Sequence, residues 1–414
     1  MDYFKKDIIK TSFLPVIREQ WLSAEDTFPA FLKEMTDKEK ASNENYVQDI
    51  STKFSLLVKK CPRFPFIRRR WRNQIDSLLS QVLLSEAIID LHKYLSPEKI
   101  DAFVTEIKDF LREVRSYTPE LSFADMGQAL RNYIVYMMFK QIHEDNSPFS
   151  RTCYGYSMLY PYTDNYIDNP GNSAVNKERY NALIQDFLNK KQHIPTCTYD
   201  TKTLHFLSAA STVVDCSDSD TARTLLLLML DAQAESLKQQ KSENPLTLEE
   251  RLAISLYKGG VSVLIDRYYV AKEMNREDFL FYLGFGFFLQ LADDLQDIKE
   301  DSKRGGQTLF TISLQEEALE KLVNKLLHFV RNLCFSFYPE NTAFLQFVLN
   351  SSYQLIAMSL NRSKEYFRTD YVKHMETVFP VSFACLEKSR QSSFGNLDSA
   401  DQIQYQRVVD AILS

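Results

Sequence analysis

The chain has 414 residues, 49 basic and 55 acidic side chains, and a net charge of −6. It has the length of one large domain or up to three small ones, without the cationic excess of a nucleic-acid-binding protein. Ten glycines and thirteen prolines are too few for the tight turns of a β-rich chain, so the composition points to helices.

The opening "MDYFKKDIIKTSFLPVIREQW" lacks a continuous apolar run and does not read as a signal peptide. Residues 1–60 are the more polar part, expected as an N-terminal helical arm packed on a main body of residues 61–414. "RRRWR" (68–72) reads as surface charge. Further on, helix starts become legible. Ser96 before Pro97 and Thr118 before Pro119 each suit an N-cap followed by proline in the first turn. Thr247 with Glu250 forms a capping-box pattern, and Asn275 with Asp278 a variant of it. No proline falls between Pro245 and Pro339, which leaves room for long helices. Apolar residues recur at spacings of three and four almost throughout. The expectation is one large all-α domain. The longest apolar stretch, "FLFYLGFGFFLQLA" (279–292), is too short to span a bilayer. The six cysteines (Cys61, Cys153, Cys197, Cys216, Cys334 and Cys385) form no C-x-x-C pair and fit reduced thiols in a cytoplasmic protein.

Six of the ten glycines fall between Gly259 and Gly306, as Gly259–Gly260, Gly284 with Gly286, and Gly305–Gly306. Glycine inside a helix costs roughly 1 kcal/mol against alanine, so such pairs imply a break or a close approach of two backbones. They flank "QLADDLQDIKED" (290–301), where four aspartates and a glutamate crowd into nine positions after an apolar run. At about 100° per residue, Asp297, Gln290, Asp301 and Asp294 lie roughly 40°, 60°, 80° and 100° from Asp293. Leu291, Leu295 and Ile298 fall on the opposite side. Carboxylates that emerge from an interior helix are costly unless paired. Hard divalent cations relieve that cost, and Mg²⁺ typically binds through one or two carboxylates with phosphate oxygens.

A second acidic pair, Asp164 and Asp168, lies four residues apart in "YPYTDNYIDNPGNS", beside Asn165 and Asn169, with Pro170 and Gly171 ending the helix. Between the two acidic segments, Lys258 precedes the first glycine pair on an apolar helix, and Arg267 follows it. Lys303 and Arg304 stand on a glycine-flanked segment suited to a lid over a phosphorylated ligand.

These residues resemble the class I isoprenoid and terpene synthases. "QLADDLQD" is similar to that family's second aspartate-rich motif, and "DLQDIKEDSKRGG" to the acidic segment and basic loop of squalene and phytoene synthases. "YKGG" resembles the lysine-bearing kinked helix of prenyltransferases. "KGGVSVLIDRYYVAKE" and "NYIDNPGNS" most resemble the large bacterial terpene synthases of the tetraprenyl-β-curcumene synthase-like group. The likeness runs in outline over residues 150–390 and is strongest over 225–312. In the first motif Asn165 and Asn172 replace aspartates.

The resemblance implies a single helical bundle of the isoprenoid synthase type with a central active-site cavity. It implies Mg²⁺, more than one ion and diphosphate-bridged, held by Asp164, Asp168, Asp293, Asp294, Asp297 and Asp301. Lys258, Arg267, Gln290, Lys303, Arg304, Asn165 and Asn169 would contact a prenyl diphosphate, with Asp293, Asp297 and Lys258 carrying the chemistry. The expected activity is ionisation of a long linear prenyl diphosphate to a cyclic or linear terpene, with peripheral membrane contact for an apolar substrate or product. Two rival readings remain: a prenyltransferase that joins or extends prenyl chains, and a helical binding protein that kept the fold without catalysis.

Overall fold

The computed structural model describes residues 3–62, 64, 68–85, 93–169, 171–212, 216–240, 244–337, 342–392 and 407–412. Among them the chain is all-α, with no strand. The principal helices, in chain order, are α1 (Leu14–Ser23), α2 (Asp37–Lys59), α3 (Arg68–Ser85), α4 (Pro97–Tyr117), α5 (Phe123–Ile142), α6 (Arg151–Leu159), α7 (Ala174–Leu188), α8 (Thr198–Ser211), α9 (Cys216–Ser236), α10 (Leu248–Val270), α11 (Arg276–Gln296), α12 (Ile298–Arg304), α13 (Glu316–Phe337) and α14 (Ala343–Arg362). No helix among the described residues is long and apolar enough to cross a membrane.

Two compact units divide the chain. The first comprises Met1–Pro29, Ala124–Asn341 and Met358–Phe367, the second Ala30–Phe123, Thr342–Ala357 and Arg368–Ser414. In the first, α11 is buried along nearly its whole length, from Phe279 to Phe288 and on to Leu295. Its neighbours are α10 on one side and α13 on another. The N-terminal residues add a further layer. Ile9, Phe13, Ile17 and Trp21, four apart on one helical face, are all buried. Phe13 packs its ring 4.4 Å from Phe279, and Trp21 meets Phe287 and Phe329 edge-on. Residues 3–29 of the expected arm are therefore core-building in the first unit. The second unit has its own small core, in which Val58, Cys61, Trp71, Ile75, Val408 and Ala411 pack together.

The expected caps largely form. Ser96 accepts from the Lys99 amide at the start of α4, and Thr247 and Glu250 make the reciprocal capping box of α10. Asn275 accepts from the Asp278 amide, but the Asp278 carboxylate turns to Arg267 instead of closing the box. Thr118 behaves differently from its pattern. It ends α4, its hydroxyl donating to Val114 O, and the next helix starts only at Phe123. A threonine can cap either neighbour, and burial of Thr118 selects the preceding one.

Candidate functional site

The acidic segment is positioned by the contact between α10 and α11. A Cβ on Gly259 would stand 2.8 Å from Gln290 Cβ, and one on Gly260 2.7 Å from Leu283 Cδ2. The glycine pair therefore permits backbone approach, and α10 runs through it without a break. This contact sets Lys258, one residue earlier, beside the last turns of α11.

Leu291, Leu295 and Ile298 are fully buried, the anchoring face expected from helical geometry. Helix α11 stops at Gln296 because another group takes its last carbonyls. The buried Ser363 hydroxyl donates to Leu295 O (2.8 Å) and Gln296 O (3.0 Å). The chain turns at Asp297 and resumes as α12, with Asp297 N–H still bonded to Asp293 O and Asp301 N–H to Asp297 O. Asp293, Asp297 and Asp301 thus stay on one side across the junction.

The four aspartates differ in environment. Asp293 is open to solvent, yet desolvation is the first cause raising its pKa, followed by the charge of Asp297. A carboxylate that water touches and the surrounding protein desolvates lies in a recess. Lys258, Arg131 and Arg362 pull the other way. Asp294 is 6% exposed. Its Oδ1 accepts from Gln290 Nε2 at 2.9 Å, and its Oδ2 has no hydrogen-bond partner. Burial pushes this carboxyl up to about 8, against the Gln290 bond and with help from Asp293 and Asp301. Asp301, half-buried, is raised to about 6, by burial and then by Asp297 and Asp293, while Arg304 and Lys258 lower it. The half-buried Asp297 accepts from Gln296 Nε2 at 3.2 Å. Four crowded carboxyl groups and four cations, Lys258, Arg131, Arg362 and Arg304, therefore share one field.

Other expected site residues lie elsewhere. Arg267 is 2% exposed and engaged through its terminal nitrogens near the end of α10, its buried Nε alone lacking a hydrogen-bond partner. It pairs with Asp278 at 2.9 Å, donates to Ala271 O and Glu273 O, and lies over the Tyr282 ring. Asp164 ends a π-helical turn, Tyr160–Asp164, where Pro161 lacks the N–H that an α-helix would use. Its carboxylate accepts from Gln233 Nε2 (2.6 Å) and Thr163 Oγ1 (3.0 Å). Asp164 is not among the charges acting most strongly on Asp293. The Asn165 amide donates to Asp125 at 2.8 Å, and Asn169 Oδ1 accepts from the Gly171 amide. The side chain of Asp168 lies outside the described residues, as does Pro170. Lys303 and Arg304 form the exposed last turn of α12, which Gly305 closes at φ 71°, a left-handed conformation that suits glycine.

Beside Asp164 the helices α6, α7, α8 and α9 line a half-open pocket with an interior of about 40 Å³, room for only a few water molecules. Leucines 159, 207, 226 and 230, Met229 and two tyrosines supply most of its wall, and Asp164, Thr163 and Gln233 its polar end. Among the described residues no three His, Cys, Asp or Glu side chains converge as a cage for one metal ion. The stripe suits instead a cation bound by one or two carboxylates whose remaining ligands come from an anion. Arg131 and Arg362 carry no sequence signal of a role here. They reach the recess only through the packing of α5 and the Ser363 contact. Compared with models of known protein families, with curated proteins and with solved structures, the chain matches none.

Proposed function

We propose that the chain is a Mg²⁺-dependent class I terpene synthase that ionises a long linear prenyl diphosphate and releases diphosphate. One observation carries this reading: a recess whose wall crowds Asp293, Asp294, Asp297 and Asp301 together with Lys258, Arg131, Arg362 and Arg304. Carboxylates alone would suit a metal and cations alone an anion. Both signs in one recess suit a metal–diphosphate pair.

The residues fit such a metal. Asp294 Oδ2 is buried without a hydrogen-bond partner, and Asp293 and Asp297 are accessible on the same side. Asp293 and Asp297 would hold Mg²⁺, with Asp301 adding charge. When bound, Mg²⁺ supplies Lewis-acid stabilisation of the charge that develops on a departing diphosphate. Lys258, Arg131 and Arg362 add fixed positive charge to the same recess, favouring the departing anion over the intact ester. Gln290 holds the Asp294 carboxylate in place through Oδ1.

The test is product analysis with C15 to C35 prenyl diphosphates and Mg²⁺, each with and without isopentenyl diphosphate. Hydrocarbon product and free diphosphate from a single substrate support the synthase. Product that requires isopentenyl diphosphate replaces it with a prenyltransferase. No turnover and no Mg²⁺-dependent diphosphate binding would leave a helical binding protein.

A further inference from the structure

Between Asp49 and Asp76 the chain carries eight basic residues and no acidic one, within a protein of net charge −6. The second unit folds the described part of this run into one surface. Helix α2 ends at Lys59 and α3 begins at Arg68, and the Trp71 indole donates to Leu57 O at 2.9 Å, tying the two helix ends together. Cys61 lies at this junction, and the charges of Arg68 and Arg407 both act on it. Arg407 thus joins the same basic end. Lys59, Lys60, Arg69 and Arg70 are exposed. The bounding acids are already engaged, Asp49 with Lys53 and Asp76 with Lys108, each at 2.6 Å.

One feature favours a bound anion over plain solvation. The arginines crowd the N-terminal turn of α3, where the helix dipole is itself positive and cations are disfavoured. A second feature selects the anion. Phe64 is 60% exposed and Leu56 49% exposed, Phe64 lying between Lys60 and Arg68 in the chain and Leu56 one turn before Lys59 and Lys60 at the end of α2. Arginine with exposed phenylalanine and leucine is the composition of an interfacial membrane contact. An aliphatic leucine has no counterpart on a nucleic acid, whereas a bilayer interface accepts it.

We propose that the α2–α3 end of the second unit docks on an anionic membrane surface. Arg69, Arg70, Lys59 and Lys60 meet lipid phosphates while Phe64 and Leu56 enter the interface. The inference stands independently of the enzymatic reading, because none of these residues belongs to the recess around Asp293.

The experiment is co-sedimentation of the full chain with phosphatidylcholine vesicles and with vesicles also containing phosphatidylglycerol, at low and high salt. A short DNA duplex serves as competitor. Binding only to the anionic vesicles, weakened by salt, is expected. Each cation near such a surface contributes roughly a factor of five, so Arg69→Glu with Arg70→Glu lowers partitioning at least about twentyfold. Phe64→Ser lowers it several-fold without changing the salt dependence. Equal binding to neutral vesicles, indifference to all three substitutions, or no vesicle binding would each overturn the proposal. DNA binding that the arginine variant abolishes, without vesicle binding, would reassign the surface to nucleic acid.

Discussion

Gly259 and Gly286 hold α10 and α11 in direct backbone contact. A Cβ on Gly286 would collide with the carbonyl oxygen of Gly259, a neighbour that no rotamer change can move aside. Alanine at position 286 should gain up to about 1 kcal/mol of helix propensity and lose more to the forced separation of the helices. Overpacking of this kind costs about 1–3 kcal/mol. Gly286→Ala is therefore expected to lower the urea midpoint despite its better propensity. An unchanged or raised midpoint would mean that the two helices can part without cost.

Asp294 should trade stability for its place in the recess. Its folded-state pKa of about 8 lies above the ordinary value of 3.8. Below about pH 4 both folded and unfolded chains hold the proton, and its contribution is fully present. From there to about pH 8 the unfolded chain ionises first, so stability falls as pH rises. Asp294→Asn removes that fall. Metal-free variant protein is expected to be more stable than the parent at pH 8, by an amount of order 1 kcal/mol or more, and similar at pH 4. Thermal melts across this range check the sign. A parent that gains stability from pH 5 to pH 8 relative to the variant would refute it.

The cations of the recess should act on turnover more than on folding. Lys258 is half-buried beside Asp293, Asp294 and Asp301. Lys258→Ala is expected to slow diphosphate release at least about tenfold, about 1.4 kcal/mol. Arg131→Ala and Arg362→Ala should each slow it less, because both are exposed. Asp293→Asn with Asp297→Asn should abolish release and leave the circular dichroism of the helices unchanged. Turnover within twofold of the parent in Lys258→Ala would return Lys258 to the solvent face.

Ser363 shows which parts of the site were legible in the sequence and which were not. The buried and exposed faces of residues 290–301 follow from a 100° step, and Leu291, Leu295 and Ile298 obey it. The capping box at Thr247 is equally local. Ser363, by contrast, ends a helix nearly seventy positions earlier, and nothing near it marks that role. The same holds for Arg131 and Arg362, whose charges reach Asp293 only through tertiary packing. Arg267 misled for the complementary reason: a basic residue near an acidic segment in sequence is drawn off by Asp278, an acid in the first turn of the helix that follows its own. Ser363→Ala would take away the one hydroxyl hydrogen shared by the buried Leu295 carbonyl and the partly buried Gln296 carbonyl, costing about 1–3 kcal/mol. A fall in thermal stability together with faster amide exchange at the α11–α12 junction is expected. No change in either would show that water replaces the hydroxyl freely.

The segment after α12 carries the last expectation, and here the structure reshapes the reading of a loose basic lid. Lys303 and Arg304 are helical and exposed, but the residues that follow are tied down. Gly306 N–H donates to Asp301 O (2.7 Å), Gln307 N–H to Gln239 O (2.7 Å) and Thr308 N–H to Thr311 Oγ1 (2.8 Å). The buried Gln307 side chain accepts from the Leu246 amide at 2.6 Å, and Arg251 donates to Thr308 O at 2.8 Å. A segment with every one of these donors satisfied exchanges slowly. Amides 306–308 are therefore expected to be protected without ligand. Mg²⁺ and diphosphate should slow exchange only within 298–304, where Arg304 already acts on Asp301. Gln307→Ala, which removes the acceptor for Leu246, should release 306–308 and leave α12 in place. Fast exchange across all of 301–308 in the free protein, slowed throughout by ligand, would instead establish a closing lid hinged at Gly305 and Gly306.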